Sequence, residues 1–164
     1  MMRAMKHGDI LRVAEICAFA RRVAFKGILS DEHLFVDSSV PHYVDYFERD
    51  MGHVARQTYV YDDGLVKGFV TMQPCEDGCL QILRLYVEPP FQGVGVGSLM
   101  LDFCHELAAS DGYGKICLWV LEKNIDEIRF YQSRGFATDE VRKTRKYSDS
   151  SAVQVRFLRD VKKC

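Results

Sequence analysis

The chain is short of the features that mark several protein classes. Proline is scarce, at four of 164 residues, and neither an internal repeat nor a low-complexity segment interrupts the pattern, so one packed domain is expected over 1–164. Charge of one sign is also missing: 22 basic residues face 23 acidic ones, and a net charge of −1 provides no global attraction to nucleic acid or to an anionic membrane. No apolar run approaches the ~18 residues of a membrane span. The first residues, Met1 to His7, lack the apolar core of a signal peptide. The six cysteines have no paired secretory spacing, which argues for reduced thiols and a cytoplasmic protein. Cys75 and Cys79 have no second ligand pair, so no metal is expected.

What is present centres on the run from Leu83 to Leu99. It reads as a strand, a turn stiffened by Pro89 and Pro90, and a glycine-rich loop opening a helix. Gly93, Gly95 and Gly97 lack Cβ atoms, and the following helix would aim unpaired N–H groups and its positive dipole end at the same place. No acid lies between Gln92 and Ser98, so the loop reads as an anion cradle, most simply for a pyrophosphate. It is not a P-loop, because Ser98-Leu99-Met100 follows where a lysine would be needed. It is not a Rossmann fingerprint either, because the third glycine of G-x-G-x-x-G is misplaced.

Around this loop the chain alternates strands and helices. Met2–His7 suits a short strand, and Asp9 is positioned to cap a helix with Ile10, Val13, Cys17, Ala20 and Ala24 on one face. Residues 30–50 suit one or two short helices. They fall within a segment rich in rings (Phe25, His33, Phe35, His42, Tyr43, Tyr46, Phe47, His53) that is either a packed cover or the lining of an acceptor pocket. Strands Thr58–Tyr61 and Leu65–Met72 flank the hairpin signal Asp62-Asp63-Gly64. The strand Cys79–Val87 changes phase between Ile82 and Leu83, as a β-bulge would produce, and this suggests splaying from a neighbour. The next helix is expected to bury Val96, Leu99, Met100, Phe103 and Leu107 and to expose Asp102, His105 and Glu106. Lys115–Leu121 suits a central strand. Asn124 with Glu127 suits a capping box, with Gly135 just past that helix, and Val141–Tyr147 and Val153–Leu158 suit two last strands. The fold class is therefore α/β (α+β), a mixed sheet with helices on both faces.

Two motifs resemble the GNAT superfamily of acyl-CoA-dependent N-acyltransferases. The first is Gln92, Gly95 and Gly97 in the pattern Gln/Arg-x-x-Gly-x-Gly/Ala. The second is Leu121-Glu122-Lys123-Asn124 followed by Phe130-Tyr131-Gln132-Ser133-Arg134-Gly135-Phe136, with Asn124 and Tyr131 seven apart. The resemblance covers about 57–158 and implies a mostly antiparallel sheet of about seven strands, splayed at the coenzyme strand, with 1–56 as an acceptor-side cover. It implies that Leu85, Tyr86 and Val87 bind the pantetheine arm through their backbone. Gln92, Gly93, Val94, Gly95, Val96, Gly97 and Ser98 would hold the pyrophosphate mostly by main-chain N–H, and Asn124 would touch the coenzyme arm. Tyr131 would act as general acid at the sulfur.

The implied reaction is direct attack by an amine, of a small molecule or a protein, on acetyl-CoA as cosubstrate, with a homodimer as family habit. Gln81 and Trp119 stand where some family members carry a glutamate base. Glu76, Glu122, His42 or a water chain are the substitutes, and the base is unassigned. Arg129, Arg134 or Lys123 could meet the 3′-phosphate. The basic run Arg142, Lys143, Arg145, Lys146 reads as a solvated strand face. Two other readings remain open at this level. One is a non-catalytic acyl-CoA-binding regulatory domain; the other is a dinucleotide unit whose ribose acid would be Glu122.

Overall fold

Asp62, Asp63 and Gly64 turn the chain between β2 (Gln57–Asp62) and β3 (Val66–Pro74), with Gly64 at φ +107°. The computed structural model describes residues 1–161. Around this hairpin are β1 (Met2–Ala4), α1 (Ile10–Phe25), α2 (Val40–Asp50), β4 (Leu80–Val87), α3 (Val96–Ser110), β5 (Lys115–Leu121), α4 (Ile125–Ser133), β6 (Ala137–Lys146) and β7 (Ser151–Asp160). The seven strands form one sheet in the order β1-β2-β3-β4-β5-β7-β6. Every pairing is antiparallel except β4 with β5. The expected mixed, mostly antiparallel sheet with helices on both faces is what forms.

Alternation along β3 distributes the core. Phe69 faces α1 and α2 with Val13, Ile16, Cys17 and Phe47, while Val70 and Met72 face α3 with Met100, Leu101 and Cys104. Arg12 fixes α1 to the sheet: its Nε donates to the Val66 carbonyl at 3.0 Å, and its guanidinium forks onto Glu88 just past β4. At one place α3 packs unusually close to the sheet. A Cβ on Gly68 would lie 2.9 Å from both Met100 Sδ and the Tyr86 carbonyl oxygen, so only glycine fits there.

Several local expectations are corrected. β1 stops at Ala4, and His7–Asp9 forms a 3-10 turn. Asp9 precedes α1, but its carboxylate does not cap that helix. It accepts from the Lys6 backbone N–H at 2.8 Å and pairs with Arg3 at 2.7 Å, because a guanidinium fork outcompetes a single cap bond. Arg3 also holds Asp62 at 2.8 Å, and this joins β1 to β2. Ala24 is exposed. In α3 the buried face is Val96, Met100, Leu101, Cys104 and Ala108, with Leu99 52% exposed and Phe103 and Leu107 half-buried. The helix is apolar on two sides, and the small residues Cys104 and Ala108 let the sheet approach that face most closely. Among the described residues, no helix is long and apolar enough to cross a membrane.

The Gly68 contact yields a stability prediction. Gly68→Ala should cost about 1–3 kcal/mol by overpacking, read as a lower chemical-denaturation midpoint with an unchanged m-value. An unchanged midpoint would show that Met100 and the strand yield freely.

Candidate active site

The anticipated bulge is real and makes the site. Thr71 pairs with Arg84 and Met72 with Ile82, leaving Leu83 as the extra residue on β4. On its other edge β4 pairs with β5 only over Leu80–Ile82. Beyond Ile82 the two parallel strands part. The Glu88 N–H is committed to the Lys67 carbonyl on β3 at 2.8 Å, so by alternation the backbone groups of Leu85 and Val87 face the gap, whereas those of Tyr86, expected there too, turn to Phe69 on β3.

The glycine loop closes one side of that gap. Gly93 and Gly95 sit at φ +76° and +94°, conformations that side-chain-bearing residues rarely adopt. Gly95 precedes the first turn of α3 with no side chain capping it, so the N–H groups of that turn remain available. Gln92 Nε2 donates to the Val87 carbonyl at 2.8 Å and ties the loop to the splayed strand. A cavity of about 640 Å³ lies there, lined by Leu85, Tyr86, Val87, Gln92, Gly93, Gly95, Gly97, Ser98, Asn124 and Tyr131 among others. Ala24 and Arg134 also reach it. Of the expected residues, Val94 projects to solvent at 73% exposure, and the Val96 side chain is in the core at 6%. These two could contribute main-chain groups only.

A second cavity, of about 570 Å³, opens on the other side of β4. Its walls include Arg21, His33, His42, Tyr43 and Tyr46 from the N-terminal third, Arg84 and Trp119 from the sheet, and Arg145 to Ser148 from the β6–β7 hairpin. The ring-rich N-terminal segment is therefore divided: Phe47 is core, while His33, His42, Tyr43 and Tyr46 line the cavity. The two cavities share Phe25, Leu85, Tyr86, Glu127 and Tyr131.

Tyr131 lies at that junction, 4% exposed and edge-on to Phe130 and Phe136. Burial, then the nearby Glu127, holds its phenol well above the ordinary value, so it stays protonated. Tyr86 is pushed up to about 12 by burial, and its hydroxyl accepts from Arg21 Nη1 at 3.2 Å.

Glu127 is the group that sequence reasoning missed. It was expected to close a capping box, and its N–H does donate to Asn124 Oδ1, at 3.4 Å. Its carboxylate, however, takes the Asn124 side-chain Nδ2 at 2.8 Å, while the Asn124 backbone N–H goes to the Leu121 carbonyl. Burial pushes the Glu127 carboxyl up to about 7, against the opposing pull of the Asn124 hydrogen bond and Arg21. The available signal was its spacing: four residues before Tyr131 places both on one helical face.

The other acids lie elsewhere. Glu122 is exposed, pairs with Arg142 at 3.1 Å and lines neither cavity, which also removes the ribose acid of the dinucleotide reading. Glu76 is exposed and outside both cavities. His42 is exposed but does line the outer one. Gln81 accepts from the Cys75 thiol, and Trp119 lies beneath Lys143, whose Nζ is 3.9 Å from the ring centroid.

Comparison with known proteins agrees with this geometry. Over 80 residues the chain is 31% identical to an uncharacterised N-acetyltransferase of Schizosaccharomyces pombe, a match covering 48% of this chain and 49% of that protein. The chain thus spans about half the length of that relative. The PaiA N-acetyltransferase of Thermoplasma acidophilum, solved in complex with coenzyme A, superposes with a TM-score of 0.76 at 17% identity, covering 98% of each chain. A GCN5-related N-acetyltransferase of Rhodopseudomonas palustris gives a TM-score of 0.74 at 18% identity, over 98% of this chain and 94% of that one. Both show a shared fold. Residues 23–136 match the Acetyltransferase (GNAT) family, which takes in the splayed strand, the glycine loop and the Asn124–Tyr131 helix. The chain belongs to the GNAT acetyltransferase family.

Proposed function

We propose that the protein is an N-acetyltransferase that moves an acetyl group from acetyl-CoA to an amine within a ternary complex. The observation that carries this reading is the meeting of two cavities at Tyr86, Glu127 and Tyr131, where β4 leaves β5. The inner cavity fits the coenzyme: positive-φ glycines let backbone approach a diphosphate, and the uncapped start of α3 supplies N–H donors. The free edge of Leu85 and Val87 suits an extended amide-bearing arm, and Asn124 and Arg134 stand further along the wall. When bound there, acetyl-CoA supplies an activated acyl carbon and a thiolate leaving group.

The chain's own groups manage the protons. An alkyl ammonium, with a pKa of about 10.4, must lose a proton before it can attack. Glu127, poised near neutrality and open to both cavities, is the acceptor for that proton. The C–N bond forms as the C–S bond breaks. Tyr131 gives its proton to the departing sulfur, and the nitrogen's second proton returns to the Tyr131 oxygen. One proton leaves in total, by way of Glu127. Backbone N–H groups on the free edge of β4 can hydrogen-bond the carbonyl oxygen as its charge develops.

Four measurements test this. A thermal-shift titration with acetyl-CoA, CoA and NAD should show stabilisation by both CoA species and none by NAD. Gly95→Val should weaken acetyl-CoA binding at least ~10-fold, since a β-branched side chain resists φ +94°. No binding of either CoA species would overturn the assignment, whereas tight binding without transfer across a broad amine panel would favour a regulatory domain.

Tyr131→Phe should lower kcat by about 10²-fold with coenzyme affinity preserved; unchanged turnover would remove Tyr131 from the mechanism.

For Glu127→Gln the rate should fall by a similar ~10²-fold, and the wild-type rise in rate through about pH 7 should vanish. The same variant has a signature in stability. A carboxyl raised in the fold favours the folded state below its unfolded pKa of about 4.3, and loses that contribution as pH rises to about 7. Glu127→Gln should therefore melt higher than wild type at pH 8, by roughly 3 kcal/mol or on the order of 10 °C, and nearly equally at pH 4.5. Equal melting at both pH values would mean that the Glu127 carboxyl ionises normally.

A further inference from the structure

The outer cavity carries more positive than negative charge. Arg21, Arg56, Arg84, Arg145 and Lys146 line it, against Asp37 and Glu127. Arg56 is committed, holding Asp50 at 2.6 Å, the Tyr46 hydroxyl at 3.0 Å and Gln73 at 3.1 Å. Asp37 is likewise committed, bonded to Ser148 and 3.6 Å from His33.

Arg21 and Arg84 are different. Among the described residues, neither has a carboxylate within ion-pair distance. Arg21 spends one N–H on Tyr86, lies 5.0 Å from the Phe25 ring centroid, and leaves Nε buried with no partner. Arg84 stacks on Tyr46, with Cζ 4.3 Å from the ring centroid, and leaves one Nη buried with no partner. The two guanidiniums come from different elements, α1 and β4, and both line this one cavity, Arg21 against Tyr86 and Arg84 against Tyr46.

A buried guanidinium nitrogen without an acceptor is costly, and two like charges lining one cavity disfavour each other as well. Their planar donor forks match a carboxylate or a phosphoryl group, whose charge would remove both costs at once. Arg21 bonds the hydroxyl of Tyr86, which lines both cavities, so an anion held by this pair would sit only a short reach from the transfer junction. A polyamine would bring further positive charge to the same wall.

We propose that the acceptor is a small amine carrying a compact oxyanion, a carboxylate or phosphonate, held by Arg21 and Arg84 while its nitrogen reaches Glu127 and Tyr131. This rests on the acetyltransferase reading above.

The test uses matched acceptors: an α-amino acid against its carboxamide, and an aminoalkylphosphonate against the alkylamine of equal length. Each is followed by thiol release from acetyl-CoA and by calorimetric titration of the protein with and without CoA. The anionic member of at least one pair should be favoured at least tenfold in kcat/KM or in affinity, and which pair responds identifies carboxylate or phosphonate. Arg84→Gln should erase that preference, Arg84→Lys should restore part of it, and both should bind acetyl-CoA as wild type does. Arg21→Met provides an independent loss of preference should Arg84→Gln fold poorly. Neutral members equal to or better than anionic ones in both readouts would overturn the proposal, as would a preference that survives both losses of charge. Failure to bind acetyl-CoA would instead strike the acetyltransferase reading, with anion preference still decided by the titration without CoA.

Discussion

The molecule depends on an interrupted pairing between two parallel strands. β4 and β5 remain bonded for three residue pairs, Leu80 with Ile116 to Ile82 with Leu118, and then separate. A parallel edge that opens in mid-sheet leaves backbone donors and acceptors without partners, which a protein interior does not tolerate unless something else meets them. Here the single extra residue Leu83 turns β4 while its other edge stays bonded to β3, so the opening does not propagate. Gln92 reaches back to one freed carbonyl, that of Val87. The rest of the freed edge faces the cavity. The glycine loop, the cavity on each side and the position of Tyr131 all follow from that one departure.

The local grammar of the chain was readable wherever backbone geometry demands particular residues. Asp62-Asp63-Gly64 required a turn, Asn124 is the cap of α4, and Gly135 has the positive φ expected just beyond it. The phase change at Ile82–Leu83 exposed the bulge because a strand has a strict period of two. Arg21, Arg84 and Glu127 escaped notice for the opposite reason. Each is a charged side chain on a helix or strand, and composition assigns such residues to solvent. Their burial is made by segments distant in sequence, α2, the β6–β7 hairpin and the end of α1, folding over the opening. Leu99 failed in the reverse sense: an apolar residue was assigned to the core when the sheet had selected the neighbouring helical face.

The charged groups of the outer cavity are arranged against stability. A carboxyl pushed to about 7 and two guanidiniums with unpartnered donors each weaken the fold. Paired or exposed substitutes would relieve them, as Asp50 relieves Arg56 a short distance away. Groups kept in such a state gain interactions from a complementary molecule, so on the proposed reading binding would offset part of their cost.

The wall where the cavities meet consists of Phe25, Leu85, Tyr86 and Tyr131, with Glu127 as the carboxylate they share. Buried water persists where it finds several polar partners, and the two phenols, the Glu127 carboxyl and the free backbone groups of Leu85 supply them here. In the proposed reaction a thioester seated at this wall would therefore meet water as well as amine, and its protection from hydrolysis would come from an acceptor displacing that water. An amine filling the junction would take over the polar partners that water otherwise finds, so occupancy of the outer cavity would itself guard the donor.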